Sequence, residues 1–270
     1  MLIKANGIQI NYELLGRKDA PVVILSHSLS SSMVMWSPQI DSLEPHFRVL
    51  RYDIRGQGGS EVTRGPYTLK LLGEDAIGLI DVLRIDKVHW VGLSMGGMIG
   101  QCVALDHPDR LKTLSLCDTG AIIADEAQPI WQERIDATRK KGMQSQVEAT
   151  MERWFTPSYL SRNPQMLALI RRQFLATSVE GYLGCIEAIR KLNYLDRLSE
   201  IKIPTLIMVG EDDPGTPVSA SEAMHQRLSN SRLVVLSSAR HLSNVEQPEA
   251  FNNHLINFLN EFYLNGAILS

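Results

Sequence analysis

The segment Gly-Leu-Ser-Met-Gly-Gly at residues 92–97 has the pattern of a reactive serine. An apolar run at 88–91 precedes it, and a segment of small residues at 97–104 follows it. A strand, a sharp turn and a helix in that order form a nucleophile elbow. Glycines suit this turn because it strains the backbone of Ser94 and brings helix and strand close together. The first N–H groups of the helix can then stabilise an oxyanion.

The same pattern also occurs in ordinary tight turns with an inert serine, so the chain must also supply a base and an acid. The run at 205–209 ends in Gly-Glu-Asp-Asp-Pro, and the run at 233–236 ends in Ser-Ser-Ala-Arg-His. Loops at the carboxyl ends of parallel strands share one rim, so Ser94, a carboxylate and His241 can converge there. The imidazole of His241 can take the serine proton near neutral pH, and the carboxylate fixes its tautomer.

Three carboxylates compete for the position of the acid. Spacing slightly favours Asp213 over its neighbour Asp212, whose alternative role is that of a turn residue bonded to its own loop. Asp118, at the end of another apolar run, is the third candidate. The other histidines fit the base less well, because they fall in loops, helix ends, helical patterns or a strand; they are His27, His46, His89, His107, His225 and His254.

An oxyanion hole needs two backbone donors, one just after the nucleophile and one from an earlier strand-to-helix loop. Met95 is the predicted first donor. The loop Ser-His-Ser-Leu-Ser-Ser at 26–31 can supply the second from Leu29, with Ser28 beside it as a candidate substrate contact. The alternative for this loop is a serine-rich turn that caps a helix.

The bulk properties of the chain narrow the class of protein. Its 270 residues, 44% hydrophobic and 21% charged, suit one or two globular domains. The net charge of -3, without a basic stripe, argues against nucleic-acid and membrane partners. The three cysteines are scattered and form no CxxC pair, which predicts neither a disulfide framework nor a metal site. No leader or membrane-spanning stretch is evident, so a cytoplasmic location is expected.

The elements that must position these residues indicate an α/β fold with a mostly parallel central sheet. Residues 2–5 and 8–14 flank Asn-Gly, a strong hairpin pattern. Apolar runs without alternation predict strands that are buried on both faces and covered by helices, at 22–25, 49–50, 88–93 and 114–117. Helical spacing predicts a helix over 69–83 and another over 248–263. Residues 120–198 are rich in helical patterns, which predicts a helical cap between core segments 1–119 and 199–270.

These motifs together resemble the α/β-hydrolase fold superfamily, along nearly the whole chain. His-Ser-Leu at 27–29, residues 52–60 and the segments around Ser94, Asp213 and His241 carry the resemblance. Within the superfamily, the chain is most similar to the 3-oxoadipate enol-lactonases of aromatic catabolism, in the segments 35–39, 46–53, 65–68, 92–101, 153–156 and 185–190. The resemblance implies that the acid is Asp213, the second aspartate of its pair.

Two segments depart from the enol-lactonase pattern. Ser-His-Ser-Leu-Ser stands at 26–30 where the family often has Ser-Asn-Ser-Leu-Gly, and Ile-Arg-Gly-Gln-Gly stands at 54–58 where it usually has a His-Gly pair. The first change lies beside the oxyanion loop, so it affects the expected acyl pocket and leaves the Ser-His-Asp prediction unchanged.

The resemblance implies a serine hydrolase that needs no metal or cofactor and cleaves a small-molecule ester or lactone, with 3-oxoadipate enol-lactone as the expected substrate. That lactone carries a free carboxylate. Trp131 and Arg134 lie three residues apart on one predicted helical face and are expected to hold it, with Trp154 as a pocket wall. The alternative for Arg134 is a solvent-exposed pair with Glu133 or Asp136.

Other reactions on the same residues stay open: general carboxylester hydrolysis, cleavage of other lactones such as acyl-homoserine lactones, carbon–carbon bond hydrolysis and perhydrolysis. A ligand-binding protein with little turnover is an alternative of another class. Enzymes with an aspartate nucleophile, such as dehalogenases and epoxide hydrolases, are excluded because position 94 is serine. The sequence does not determine the oligomeric state.

Overall fold

The computed structural model describes residues 1–162 and 164–267, with side chains as far as residue 262. Its strands are β1 (Leu2–Ala5), β2 (Ile8–Leu15), β3 (Val22–Ser26), β4 (Arg48–Tyr52), β5 (Val88–Leu93), β6 (Leu111–Cys117), β7 (Thr205–Gly210) and β8 (Ser231–Leu236). They form one sheet in the order β1-β2-β4-β3-β5-β6-β7-β8. β1 and β2 run antiparallel to their neighbours, and the other six strands are parallel to one another.

The predicted hairpin joins β1 to β2. Asn6 and Gly7 both have a positive φ, 44° and 83°, which is the conformation that a two-residue hairpin turn of this kind requires. The central strands β3, β5 and β7 are buried along their whole length, as their unbroken apolar runs predicted. β8 is an edge strand, and only its last residue is buried.

Helices cover both faces of the sheet. They are α1 (Ser37–Leu43), α2 (Leu69–Val82), α3 (Met95–Asp106), α4 (Gln128–Lys141), α5 (Val147–Trp154), α6 (Pro157–Arg162), α7 (Gln165–Ala176), α8 (Val179–Arg190), α9 (Val218–Arg227), α10 (Ser243–Glu246) and α11 (Pro248–Ala267). Successive residues of β5 point to opposite faces, so Trp90 belongs to the core cluster that contains residues of α2 and α3, while Val91 belongs to the cluster that contains residues of α1 and α11. Within the described residues, no helix combines the length and apolar character needed to span a membrane.

Five of the described helices, α4 to α8, are inserted between β6 and β7. The two ends of the insertion meet at an isolated antiparallel bridge between Ile122 and Asn193. Gln128 and Arg190 connect the first helix of the insertion to the last, because each donates a side-chain hydrogen bond of 2.9 Å to the other residue. The insertion therefore forms a closed helical unit above the carboxyl ends of the parallel strands.

Candidate active site

Ser94 lies at the turn between β5 and α3, in a backbone conformation that is rare for residues other than glycine. Its φ is 54° and its ψ is -115°. The turn depends on its glycines, because a Cβ atom on Gly92 would lie 2.2 Å from the carbonyl oxygen of Gly96, and one on Gly96 would lie 2.0 Å from that of Ser26. The strained backbone lifts Ser94 out of the sheet, as the elbow pattern predicted.

The side chains of Ser94, His241 and Asp213 form one chain of hydrogen bonds. The Oγ atom of Ser94 lies 2.9 Å from Nε2 of His241, and Nδ1 of His241 lies 2.7 Å from Oδ2 of Asp213. In the sequence, Ser94 lies 147 residues from His241 and Asp213 lies 28 residues from it, so the fold brings the three together. The geometry allows Nε2 to accept the serine proton while Nδ1–H donates to the carboxylate.

Electrostatics support a basic His241 and an ionised Asp213. Burial by itself lowers the pKa of His241, but the charge of Asp213 and the hydrogen bond to it outweigh burial and raise the pKa above 6.5. Burial alone raises the pKa of Asp213, but His241, Thr216 and the N–H of Gly215 together bring it below 3.8. The carboxylate therefore stays charged and stabilises an imidazolium beside it.

Asp213 is held by its own loop. Its Oδ1 accepts from the N–H groups of Gly215 at 2.8 Å and Thr216 at 3.2 Å, and its Oδ2 accepts from the Thr216 hydroxyl at 2.6 Å. Asp212, the neighbouring candidate, has an exposed side chain, and its N–H bonds the carbonyl of Ala239 at 2.9 Å. Of these two aspartates, only Asp213 meets His241 in the described structure.

Asp118, the third candidate acid, is buried and bonds to Gly210 and Ser243. Its Oδ1 accepts from the N–H of Gly210 at 2.8 Å, and its Oδ2 lies 2.5 Å from the hydroxyl of Ser243. Burial and the charge of Asp213 raise the pKa of Asp118 to about 8. Because its ionised form is disfavoured in this way, this carboxyl suits a structural hydrogen bond better than the stabilisation of an imidazolium.

The two predicted oxyanion donors have no competing partner. Within residues 1–162 and 164–267, the N–H groups of Leu29 and Met95 donate to no protein acceptor. His27 braces the loop that carries Leu29, because its Nδ1–H donates to the carbonyl of Ser28 at 2.8 Å and its Nε2 accepts from the N–H of Ile54 at 2.9 Å. This arrangement needs a neutral imidazole, and burial lowers the pKa of His27 accordingly.

A cavity of about 280 Å³ lies between the rim of the sheet and the inserted helices. Apart from Met95, which is buried and offers only its N–H, all the predicted site residues line it: Ser28, Leu29, Ser94, Trp131, Arg134, Trp154, Asp213 and His241. Trp154 stacks on the imidazole of His241, with 6.5 Å between ring centroids and 24° between the planes. The insertion therefore covers the hydroxyl of Ser94 and limits its access to water.

Two arginines of the insertion line this cavity. The guanidinium of Arg134 lies 4.7 Å from the ring centroid of Trp131, and that of Arg153 donates to the Thr150 hydroxyl at 2.7 Å. In the part of the chain that the structure describes, neither forms a salt bridge with a carboxylate. Burial lowers the pKa of both, and the charge of Arg134 helps to bring that of Arg153 to about 10.

Some of these contacts differ from the sequence expectations. The solvent-exposed pair considered for Arg134 is absent from the described residues, where Asp136 accepts from Gln132 instead at 3.0 Å. Arg153 had no role in the sequence analysis, although it stands next to Trp154 in a matched motif. Thr216 was also missed, and the signal for it was an Asp followed by Gly and Thr two and three residues later, the spacing of an Asx turn.

Residues 21–248 match the family defined by the α/β-hydrolase fold. The chain belongs to the α/β-hydrolase family. The match confirms the predicted fold class, and it accounts for the parallel sheet with its helical insertion and nucleophile elbow.

Among similar α/β-hydrolases, the 3-oxoadipate enol-lactonase 2 of Acinetobacter baylyi is 36% identical over 251 residues, which are 93% of each chain. The crystal structure of an enol-lactonase from Burkholderia xenovorans LB400 superimposes with a TM-score of 0.93 at 38% identity, over 96% of this chain and all of that one. RutD of Agrobacterium fabrum, provisionally named a carbamate hydrolase, is 30% identical over 93% of this chain and 98% of its own. The predicted resemblance is confirmed, and the chain is a hydrolase of carboxylic esters or lactones.

Proposed function

We propose that this hydrolase opens the enol-lactone of 3-oxoadipate, with Ser94 as nucleophile, His241 as base and Asp213 as the acid that orients it. The observation that carries the choice of substrate is the pair of arginines, Arg134 and Arg153, in the cavity that holds the hydroxyl of Ser94. Two partly buried cations, for which residues 1–162 and 164–267 supply no carboxylate partner, favour an anionic ligand, because its charge would offset the cost of taking the guanidinium groups out of water. The similar enol-lactonases of Acinetobacter baylyi and Burkholderia xenovorans LB400 support the same choice.

In the first step, the Oγ of Ser94 attacks the lactone carbonyl carbon while its proton passes to Nε2 of His241. The carbonyl oxygen becomes an oxyanion, and the free N–H groups of Leu29 and Met95 stabilise it. The imidazolium is stabilised by Asp213, which stays ionised because of its short hydrogen bonds.

The tetrahedral intermediate then collapses and breaks the bond between the carbonyl carbon and the ring oxygen. His241 returns the proton to the leaving oxygen, which becomes an enol that remains in the acyl chain. Tautomerisation of this enol to a ketone makes ring opening effectively irreversible. Water, deprotonated by His241, attacks the acyl-serine, and collapse of the second intermediate releases a carboxylic acid and restores Ser94.

The helices of the insertion supply recognition and exclude water in this scheme. Arg134 and Arg153 hold the free carboxylate of the substrate, and Trp131 and Trp154 form apolar walls beside the lactone ring. Because charge-assisted bonds to both guanidinium groups fix the orientation of the substrate, the lactone carbonyl is presented to Ser94 in one pose. The ligand is a small molecule, and the reaction requires no metal or cofactor.

The test compares kcat/KM of the purified protein for 3-oxoadipate enol-lactone, an acyl-homoserine lactone, p-nitrophenyl acetate and a carbamate. The expected result is a clear preference for the enol-lactone, abolished in Ser94→Ala and unaffected by a chelator. Preference for the acyl-homoserine lactone or the carbamate would overturn the choice of substrate and keep the serine mechanism. Activity that a chelator removes and a metal ion restores would overturn the mechanism itself.

A further inference from the structure

Glu246, a buried residue that the mechanism above does not use, connects the loop of His241 to the inserted helices. It ends α10 and is 6% exposed. Its carboxylate accepts from the N–H of Thr156 at 3.0 Å and, in a very short bond, from the Thr156 hydroxyl. Its other oxygen accepts from the N–H of Arg240 at 3.0 Å and shares the N–H of Thr156 at 3.3 Å. Thr156 lies in the insertion just after α5, and Arg240 directly precedes His241.

Further hydrogen bonds join the same two segments. The N–H of Leu242, directly after His241, donates to the carbonyl of Trp154 at 3.1 Å. The guanidinium of Arg240 donates to the backbone carbonyls of Glu152 and Phe155. Both neighbours of His241 in the chain are therefore bonded to residues 152–156, the segment that carries Arg153 and Trp154 into the cavity.

We propose that Glu246 is a positioning residue that holds the base, His241, and the carboxylate-binding segment 152–156 at a fixed separation. The physical reason is that a buried carboxylate with three donors from two segments forms charge-assisted bonds, which are stronger and more directional than neutral ones. A substrate whose carboxylate is held by Arg153 then has its carbonyl placed relative to His241. This part of the inference rests on the proposed function; the positioning of His241 does not.

Position 246 suits a carboxylate because the groups around it, from Thr156 and Arg240, are all hydrogen-bond donors. A glutamine has one acceptor oxygen, and its NH₂ group would face either the N–H of Arg240 or the donors of Thr156. Glu246→Gln therefore replaces charge-assisted bonds with weaker neutral ones and turns one acceptor of the site into a donor, which loosens the connection. Glu249→Gln is a matched control, because Glu249 is exposed in the first turn of α11 and the change in charge is the same.

The experiment measures kcat and KM for Glu246→Gln and Glu249→Gln, with active sites counted by a fluorophosphonate probe. We expect Glu246→Gln to lower kcat about 10- to 100-fold on p-nitrophenyl acetate and on the enol-lactone, and to raise KM on the anionic enol-lactone only. The acid limb of its pH profile should move to lower pH, because a displaced His241 loses the contact with Asp213 that raises its pKa. Glu249→Gln should match the wild type.

A second variant, Thr156→Val, keeps Glu246 and removes one donor from the insertion. It should raise KM for the enol-lactone several-fold and leave kcat on p-nitrophenyl acetate near the wild-type value, because the bond between Glu246 and Arg240 stays in place. If Glu246→Gln does not fold, wild-type kinetics in Thr156→Val overturn the inference.

If Glu246 is merely structural, its glutamine variant loses folded protein, while kcat, KM and pH profile per titrated site stay at wild-type values. That outcome would refute the positioning role. A wild-type protein without enol-lactone activity would refute the proposed function instead, and the loss of kcat on p-nitrophenyl acetate would still test the position of His241.

Discussion

The rim of the sheet and the wall formed by the inserted helices differ in whether their charged side chains have partners within the protein. At the rim, Asp213 is paired with His241 and accepts three more hydrogen bonds from its own loop. In the wall, Arg134 and Arg153 lie partly buried, and within the described residues they form no salt bridge. The groups proposed to break the bond are thus held by partners from the protein itself, whereas the groups proposed to recognise the substrate have no carboxylate partner among the described residues.

The difference has a physical basis. A preorganised carboxylate and imidazole act at once on the developing charges of the transition state, without reorganisation. Partly buried cations without a carboxylate partner among the described residues cost free energy, and an anionic ligand would offset that cost. Substitutions at the rim should therefore lower the rate on every substrate. Substitutions in the wall should lower kcat/KM for anionic substrates and leave that for neutral ones nearly unchanged.

The largest expected effect is at Ser94. Ser94→Ala should lower turnover by several orders of magnitude on neutral and anionic substrates alike, while circular dichroism shows an unchanged fold. A fluorophosphonate probe should label Ser94 in the wild type. Labelling of Ser28 or Ser30 with Ser94 unmodified would place the nucleophile in the oxyanion loop and not at the elbow.

The acid at the rim gives the next largest effect. Asp213→Asn should lower kcat about 10³- to 10⁴-fold, because an amide favours the wrong tautomer of His241. Asp212→Asn, measured in the same assay, should lose much less, since the side chain of Asp212 is exposed. Comparable losses in both variants, or a greater loss in Asp118→Asn, would mean that another carboxylate orients the base.

The wall of inserted helices should respond to substrate charge. Arg134→Ala and Arg153→Ala should each lower kcat/KM for the enol-lactone about 10- to 100-fold, the value of one charge-assisted hydrogen bond. Kinetics with p-nitrophenyl acetate, which is neutral, should hardly change. Equal losses on both substrates would make the arginines structural, and no loss on either would leave the carboxylate without its proposed partners.

The smallest expected effect is on the pH dependence of kcat/KM. Since Asp213 raises the pKa of His241 above 6.5, kcat/KM should fall as the pH drops through that raised value, because a protonated imidazole cannot accept the proton of Ser94. In Asp213→Asn the acid limb should move to lower pH, since burial then acts on His241 without the charge of Asp213, the largest contribution that opposes it. A limb at the same pH in both proteins would show that another group controls the titration.

Much of the fold and part of the candidate site followed from local patterns. The Asn-Gly hairpin and the elbow at Ser94 were predictable because turn conformation depends on glycines next to one another in the chain. The central strands were predictable because an unbroken apolar run suits a strand that is covered on both faces. The family resemblance rested on these same short motifs.

Other features depend on segments far apart in the chain. From spacing, Asp118, Asp212 and Asp213 were all candidates for the acid; in the folded chain Nδ1–H of His241 donates to the carboxylate of Asp213. Arg153 had no recognisable role until α5 was seen to line the same cavity as Arg134. The connection from Glu246 to Thr156 spans 90 residues and leaves no local pattern in either segment.

The sequence by itself therefore determined the turns, the strands and the nucleophile elbow, because these depend on residues a few positions apart. The tertiary structure decided which carboxylate meets the imidazole, which arginines share the cavity and which glutamate joins the base to the inserted helices. Those choices depend on strand order and on the packing of the insertion over the rim, and neither is encoded in the spacing of any one segment.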